Sequence, residues 1–174
     1  MRPGGVEPPT RRIADWRPSF GGWVSILADA TGYSVPMLLP DSARALIESG
    51  ALAHLVTVGR DGSPQVTCIW VGLDGDQLVS GHLFEQQKLR NVRRDSRVVL
   101  SLEGTEIRPP GLKEYLVVHG TAEIEEGGAP DLLQRLAHVY LGPEVRFPPM
   151  DDPPPGHTMR ITVERIGGVG PWLP

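Results

Sequence analysis

Two Asp-Gly dipeptides, Asp61-Gly62 and Asp74-Gly75, constrain this chain more than any other feature, because each sits between short runs rich in β-branched and apolar residues. Asp-Gly suits a tight hairpin turn: glycine accepts positive φ without a steric penalty, and the aspartate side chain bonds back to nearby backbone. Each dipeptide therefore makes its flanking runs antiparallel neighbours. Leu52–Val58 reads as a first strand, and Pro64–Leu73, PQVTCIWVGL, as a second whose proline is tolerable only at the strand start. Gln77–Ser80 begins a third, Arg97–Leu102 forms a fourth, and Tyr115–Glu125 a fifth with Gly120 marking a bulge or bend. Thr158–Ile166 is a sixth, with Met159, Ile161 and Val163 alternating inward against Arg160, Thr162 and Glu164.

Three helical segments separate these runs. Asp41 or Ser42 caps ARALIESG, which stops at Gly50, and Glu85–Asp95 makes a short helix or helical turn. APDLLQRLAHVYLG places Leu132, Leu133, Leu136, Val139 and Tyr140 on one apolar stripe and stops at Gly142. Residues 103–113 and the proline-dense 147–156 read as loops. The fold class expected is mainly β (α+β): six short antiparallel strands rolled into a small barrel, with helices at its periphery.

The chain has 174 residues, enough for one domain that needs no staples. Its lone Cys68 lies in an apolar strand-like run, has no internal partner, and points to a reducing cytoplasm. A net charge of −4 argues against broad nucleic-acid binding, and no run approaches the ~20 apolar residues of a membrane span. Residues 1–37, rich in Pro, Gly and Arg at the start and without a period, read as a disordered or loosely packed extension. Residues 38–174 form the folded domain. Translation beginning at Met37 is a sharper expectation.

The chemistry-bearing stretch is 88–102, KLRNVRRDSRVVLSL. Lys88 and Asn91 lie three apart and share a helical face, among Arg90, Arg93, Arg94 and Arg97. A cation and a carboxamide beside a helix N-terminus suit a bound anion such as a phosphate. The plain alternative is a solvated basic face. The five histidines show no metal-ligand spacing, so no metal site is expected. No Ser-His-Asp or Cys-His arrangement is visible, and the GGVG of 167–170 follows a strand without opening a helix.

The order of these segments, with the D-G-x-P-Q turn, the strand tryptophan and the KxxNxxRDxR block, resembles the pyridoxamine 5′-phosphate oxidase-like FMN-binding split-barrel superfamily. The KLRNVRRDSRV block and the VERIGGVGPW tail are most similar to its deazaflavin (coenzyme F420)-dependent reductase branch. The resemblance implies a six-stranded antiparallel split β-barrel that forms a homodimer with cofactor at the subunit interface. Lys88 and Asn91 match positions that contact the cofactor's phosphate and ribityl region, and Gln65, Thr67 and Ile69 positions along its ring. Thr57 and Val58 match the end of the first strand near the cofactor. Trp70, Ser80 and His82 are further candidates: Trp70 stacking near the ring or its substrate, or filling the core or dimer interface, Ser80 on the third strand, and His82 following that strand ahead of the anion loop.

Many relatives carry arginine where this chain has Gln86, a departure that tilts the expected cofactor from FMN towards F420. The implied activity is hydride transfer from reduced F420 to a conjugated small-molecule acceptor, with no side-chain nucleophile. The alternatives are an FMN-dependent oxidase or reductase and a non-catalytic F420-binding protein. Pocket walls are expected from the loops 103–113 and 143–157.

Overall fold

The computed structural model describes residues 37–173. The extension expected over 1–37 lies outside the described residues except for Met37, whose N–H donates to Val163 O at 2.9 Å. The elements run α1 (Asp41–Ile47), β1 (Ala53–Val58), β2 (Pro64–Ile69), β3 (Gly72–Asp74), β4 (Gln77–His82), α2 (Gln87–Arg94), β5 (Arg97–Arg108), β6 (Leu112–Glu126), α3 (Ala129–Tyr140) and β7 (His157–Val169). Both Asp-Gly turns form as expected, with Gly62 at φ 83° and Gly75 at φ 62°. In the first, Asp61 Oδ1 accepts from the Ser63 N–H (3.0 Å) and hydroxyl (2.6 Å).

All strands of the described residues belong to one antiparallel sheet in the order β2-β1-β5-β6-β7-β4-β3. Among the described residues the count is seven rather than six, because the expected second strand breaks at Trp70-Val71 into β2, paired with β1, and β3, paired with β4. The break defines the architecture. β2 and β3 are the two edges of the sheet, yet only two residues separate them in the chain. Laid flat, seven strands would hold their edges about 29 Å apart. The link Ile69–Gly72 reaches about 10 Å at full extension. The sheet must therefore curl until its edges meet, without a hydrogen-bonded ladder between them: a split barrel.

Tyr140, the last residue of α3, clamps this seam. Its Oη accepts the Val71 N–H at 3.0 Å and lies 3.1 Å from the carbonyl oxygens of Ala51 and Val71, which share its single hydrogen. Trp70 stacks on the Tyr140 ring at a centroid distance of 5.2 Å and 15° between planes. The main core fills the barrel with Leu55, Leu78, Leu100, Leu116, Met159 and Ile161, all fully buried, and Trp172 anchors the C-terminal segment in it. Gly120 does mark a bulge: the β6–β7 register shifts after His119, and a Cβ at Gly120 would meet Thr162 O at 2.1 Å.

Other expectations change in detail. Asp41 is the first helical residue of α1 rather than its cap, a place held by Pro40. Val139 leaves the apolar stripe of α3 and is 50 % exposed, while Leu132, Leu133 and Leu136 pack inward. The expected 103–113 loop is mostly strand: β5 and β6 extend into a hairpin turning at Pro109-Pro110-Gly111. Cys68 is exposed, because β2 is an edge strand whose outward positions no layer covers.

Tyr140→Phe keeps the ring stacking but leaves the Val71 N–H without its acceptor. Stability should fall by about 1–3 kcal/mol, the cost of an unsatisfied buried donor. Equilibrium urea unfolding measures it, and an unchanged midpoint would mean that the seam does not depend on this hydroxyl.

Candidate functional site

α2 has eight residues, too few to persist alone. Two devices hold it against the barrel. Leu89 and Val92 are buried at 0 % and 3 % exposure and join the main core, each contributing about 1.5–3 kcal/mol. The second is the amide of Asn91, itself fully buried. Its Nδ2 donates to Thr57 Oγ1 at 3.0 Å and to Gln65 Oε1 at 2.7 Å, which belong to a directly opposed cross-strand pair of β1 and β2. Its Oδ1 accepts from Gln87 Nε2 at 2.9 Å. Both donors of Asn91 are thus used within the protein.

The same anchoring sets Lys88 in place, one turn earlier on the same helical face. Lys88 is 7 % exposed, and burial lowers the pKa of its ammonium. Among the described residues it belongs to none of the ion pairs. The neighbouring arginines are mostly engaged. Arg93 bridges Glu85 and Glu126, each at 2.8 Å, and Arg97 holds Asp95 at 2.6 Å. Arg94 donates to Val58 O, and Arg90 to Gln87 Oε1 at 2.9 Å. The expected basic face therefore reduces to one buried, unpaired cation flanked by arginines that are largely tied down. α2 also lacks a side-chain N-cap, so no side chain serves the amides of its first turn.

Lys88 opens onto a cavity of about 460 Å³ between the end of β2, the end of β4, the Leu83–Gln86 segment, α3 and the proline-dense loop. Of the expected site residues, Ile69, Trp70, Ser80, His82 and Lys88 line it together. Thr57, Gln65 and Asn91 form the adjoining hydrogen-bonded bracket. Val58 contributes its carbonyl to Arg94, and Thr67 lies on β2 two residues from both Gln65 and Ile69. The sequence reading missed Cys68, Phe84, Leu133 and Phe147 in the cavity wall. Phe147 belongs to the 143–157 segment expected to supply a wall, and it packs on Trp70 at 5.0 Å. The 103–113 segment supplies none of this wall, since it folds as the β5–β6 hairpin.

Electrostatics and satisfaction single out two atoms. Among the described residues, the buried side-chain polar atoms without a hydrogen-bond partner are Thr67 Oγ1 and His82 Nε2. His82 is 6 % exposed. Burial, aided by the charges of Lys88 and His157, pushes its pKa down to about 3, so its imidazole is neutral at physiological pH. A neutral imidazole offers one donor and one acceptor. The cavity thus combines an aromatic and aliphatic wall with the unpaired Lys88 cation, the Ser80 hydroxyl and the neutral His82 imidazole, a combination suited to a planar ligand bearing oxygen or phosphate groups.

An antiparallel split barrel with an apolar cavity and a buried cation at a helix start defines the class. The sequence profile of the pyridoxamine 5′-phosphate oxidase family matches residues 39–170, and the chain belongs to that family. Among solved structures it is similar to an F420 reductase, at 28 % identity over 74 % of this chain and 98 % of that one, with a TM-score of 0.59. A conserved hypothetical protein from Mycobacterium tuberculosis shares the fold at 22 % identity, covering 78 % and 87 % of the two chains, with a TM-score of 0.57. So does an FMN-binding protein from Syntrophomonas wolfei, at 16 % identity, 75 % and 85 % coverage and a TM-score of 0.55. No curated protein matches the sequence. No helix among the described residues is long and apolar enough to cross a membrane.

Two measurements test this layout. An unfolded chain protonates His82 near 6.5 and the folded chain only at about 3. Between those values the unfolded state holds the extra proton, so acidification through that window lowers stability. His82→Leu should flatten the pH dependence of urea unfolding there; an unaltered slope would contradict a buried neutral imidazole. Asn91→Ala should cost about 1–3 kcal/mol of stability. Lys88→Met, which replaces an unpaired buried cation, should cost nothing or stabilise. The reverse ranking would overturn the division of roles between bracket and cation.

Proposed function

We propose that the domain over 38–174 is an oxidoreductase that binds reduced F420 and passes a hydride to a planar, conjugated, electron-poor small molecule. The observation that carries this reading is the coincidence of the two unsatisfied buried atoms, Thr67 Oγ1 and His82 Nε2, with residues expected along a flavin-type cofactor. Buried polar atoms are normally paired, and two unpaired ones, on the cavity residue His82 and on Thr67 of the adjoining strand, suit a ligand whose binding supplies partners. When bound, the deazaflavin supplies a hydride from C5 of its ring; the protein contributes orientation and a dry, shaped space. Lys88 would neutralise the phosphate. Thr67, Ile69 and Trp70 would lie along the ring, and Ser80 and His82 would hold its polar edge or that of the acceptor. The Asn91 bracket would set Lys88 in position through α2 rather than touch the phosphate directly.

Family membership and the 28 % identity to an F420 reductase support the redox class and the deazaflavin. Gln86 on the cavity wall, where a second cation would favour FMN phosphate, supports the choice between cofactors. The working unit we propose is a cytoplasmic homodimer with cofactor at the subunit interface.

Fluorescence titration of the purified protein with F420 and with FMN tests the reading. F420 should bind more tightly, and a preference for FMN would overturn it. Lys88→Ala should weaken F420 binding by about 1.5–3 kcal/mol, the scale of a hydrogen bond to a charged group. Steady oxidation of reduced F420 by a conjugated acceptor separates an enzyme from a carrier.

A further inference from the structure

The segment between α3 and β7 supplies one side of the cavity wall, and a single side chain fastens it. Residues 143–154 belong to no strand or helix, and five of them are prolines, which have no N–H to donate. Their other hydrogen bonds stay local: Val145 N–H to Gly142 O at 3.2 Å, Met150 N–H to Pro148 O at 2.9 Å, and Arg146 to Asp151 at 3.3 Å. Among the described residues, the hydrogen bonds tying this segment to the rest of the fold come from Gln134 of α3. Its Nε2 donates to Val145 O at 2.8 Å, and its Oε1 accepts the Phe147 N–H at 2.9 Å. One carboxamide thus holds the backbone on both sides of Arg146, as an adjoining strand would.

The tether meets the cavity at Phe147. Its half-buried ring lines the wall and lies 5.0 Å from Trp70, tilted by 56°, so the two rings form a corner. Trp70 lines the same wall and is backed by the Tyr140 ring. Leu133, next to Gln134 on α3, also reaches the cavity. α3 therefore supplies one part of the wall directly and sets another through the Gln134 amide.

We propose that Phe147 limits the size of the planar molecules that reach Trp70, and that Gln134 is the positioning residue that holds it there. The proposal rests on reading the cavity as one for planar conjugated ligands, and names the residues that select among them. A segment held by so few bonds opens at a lower free energy than the barrel beneath it. Its prolines fix φ, so it swings as a piece instead of fraying. A ring system too broad for the closed corner enters only when the Gln134 tether releases.

The test uses the full chain without cofactor and two neutral quenchers of tryptophan emission, the small acrylamide and the flat ring amide nicotinamide. Trp70→Phe, made in each background, isolates the emission of Trp70. Gln134→Ala should raise nicotinamide quenching of Trp70 by about threefold, the scale on which losing a hydrogen bond favours a local opening. Phe147→Ala should raise it at least as much, while acrylamide quenching changes far less in both. The double variant should match Phe147→Ala alone, because Gln134 acts through that ring. Unchanged nicotinamide quenching in either single variant, an equal rise for both quenchers, or additive effects in the double variant would overturn the proposal. Neither quencher involves F420, so this result and the cofactor titration stand or fail separately.

Discussion

The two-residue link at Trp70-Val71 is the constraint from which the rest follows. It ties the opposite edges of a seven-stranded sheet together through bonds that cannot stretch. An open sheet is incompatible with that link, so the barrel's curvature is dictated covalently rather than by ladder hydrogen bonds. The cost is a stretch of backbone outside any ladder, and Tyr140 meets it by serving the Val71 N–H and the nearby carbonyls. α3 is thereby fixed on the outside of β4, where Val79, Leu132 and Leu136 form their own small core.

The cavity is a by-product of the same closure. Bringing the end of β2 against the end of β4 sets Ile69 and Trp70 opposite Ser80 and His82, although the ladder pairs neither strand with the other. Trp70 then serves two purposes, stacking on Tyr140 and Phe147 while presenting a surface to the cavity. α2 adds Lys88. Its position depends on Asn91, whose amide spends both donors on Thr57 and Gln65. One helical face thus divides into a structural residue and an unpaired cation. Keeping His82 neutral follows from its burial among positive charges, and leaves an imidazole suited to hydrogen bonding rather than ion pairing.

Much of this was legible in the sequence, for local reasons. The Asp-Gly turns, the alternation of β7, the bulge at Gly120 and the helix Ala129–Tyr140 each depend on residues close together in the chain. The site was legible in part. Lys88, His82, Ser80, Ile69 and Trp70 do converge on one cavity, while Asn91 proved to be its bracket. The break in PQVTCIWVGL was not legible, because an unbroken apolar run carries no sign that its halves belong to opposite edges. Neither was Cys68 as a wall residue: its exposure depends on β2 being an edge, a property of strand order. The hairpin over 103–113 was read as a loop since Gly104 and the Pro-Pro-Gly turn weaken the local strand signal, which cross-strand pairing overrides.

By itself the sequence determined most of the elements, the antiparallel sense at its Asp-Gly turns and the family, since turn chemistry, periodicity and a short motif act over a few residues. Only the tertiary structure decided which of those residues share a cavity, which polar atoms remain unsatisfied and which basic residues stay unpaired. Those properties depend on contacts between segments far apart in the chain, such as Asn91 with Thr57 and His82 with Lys88, and no local pattern encodes them.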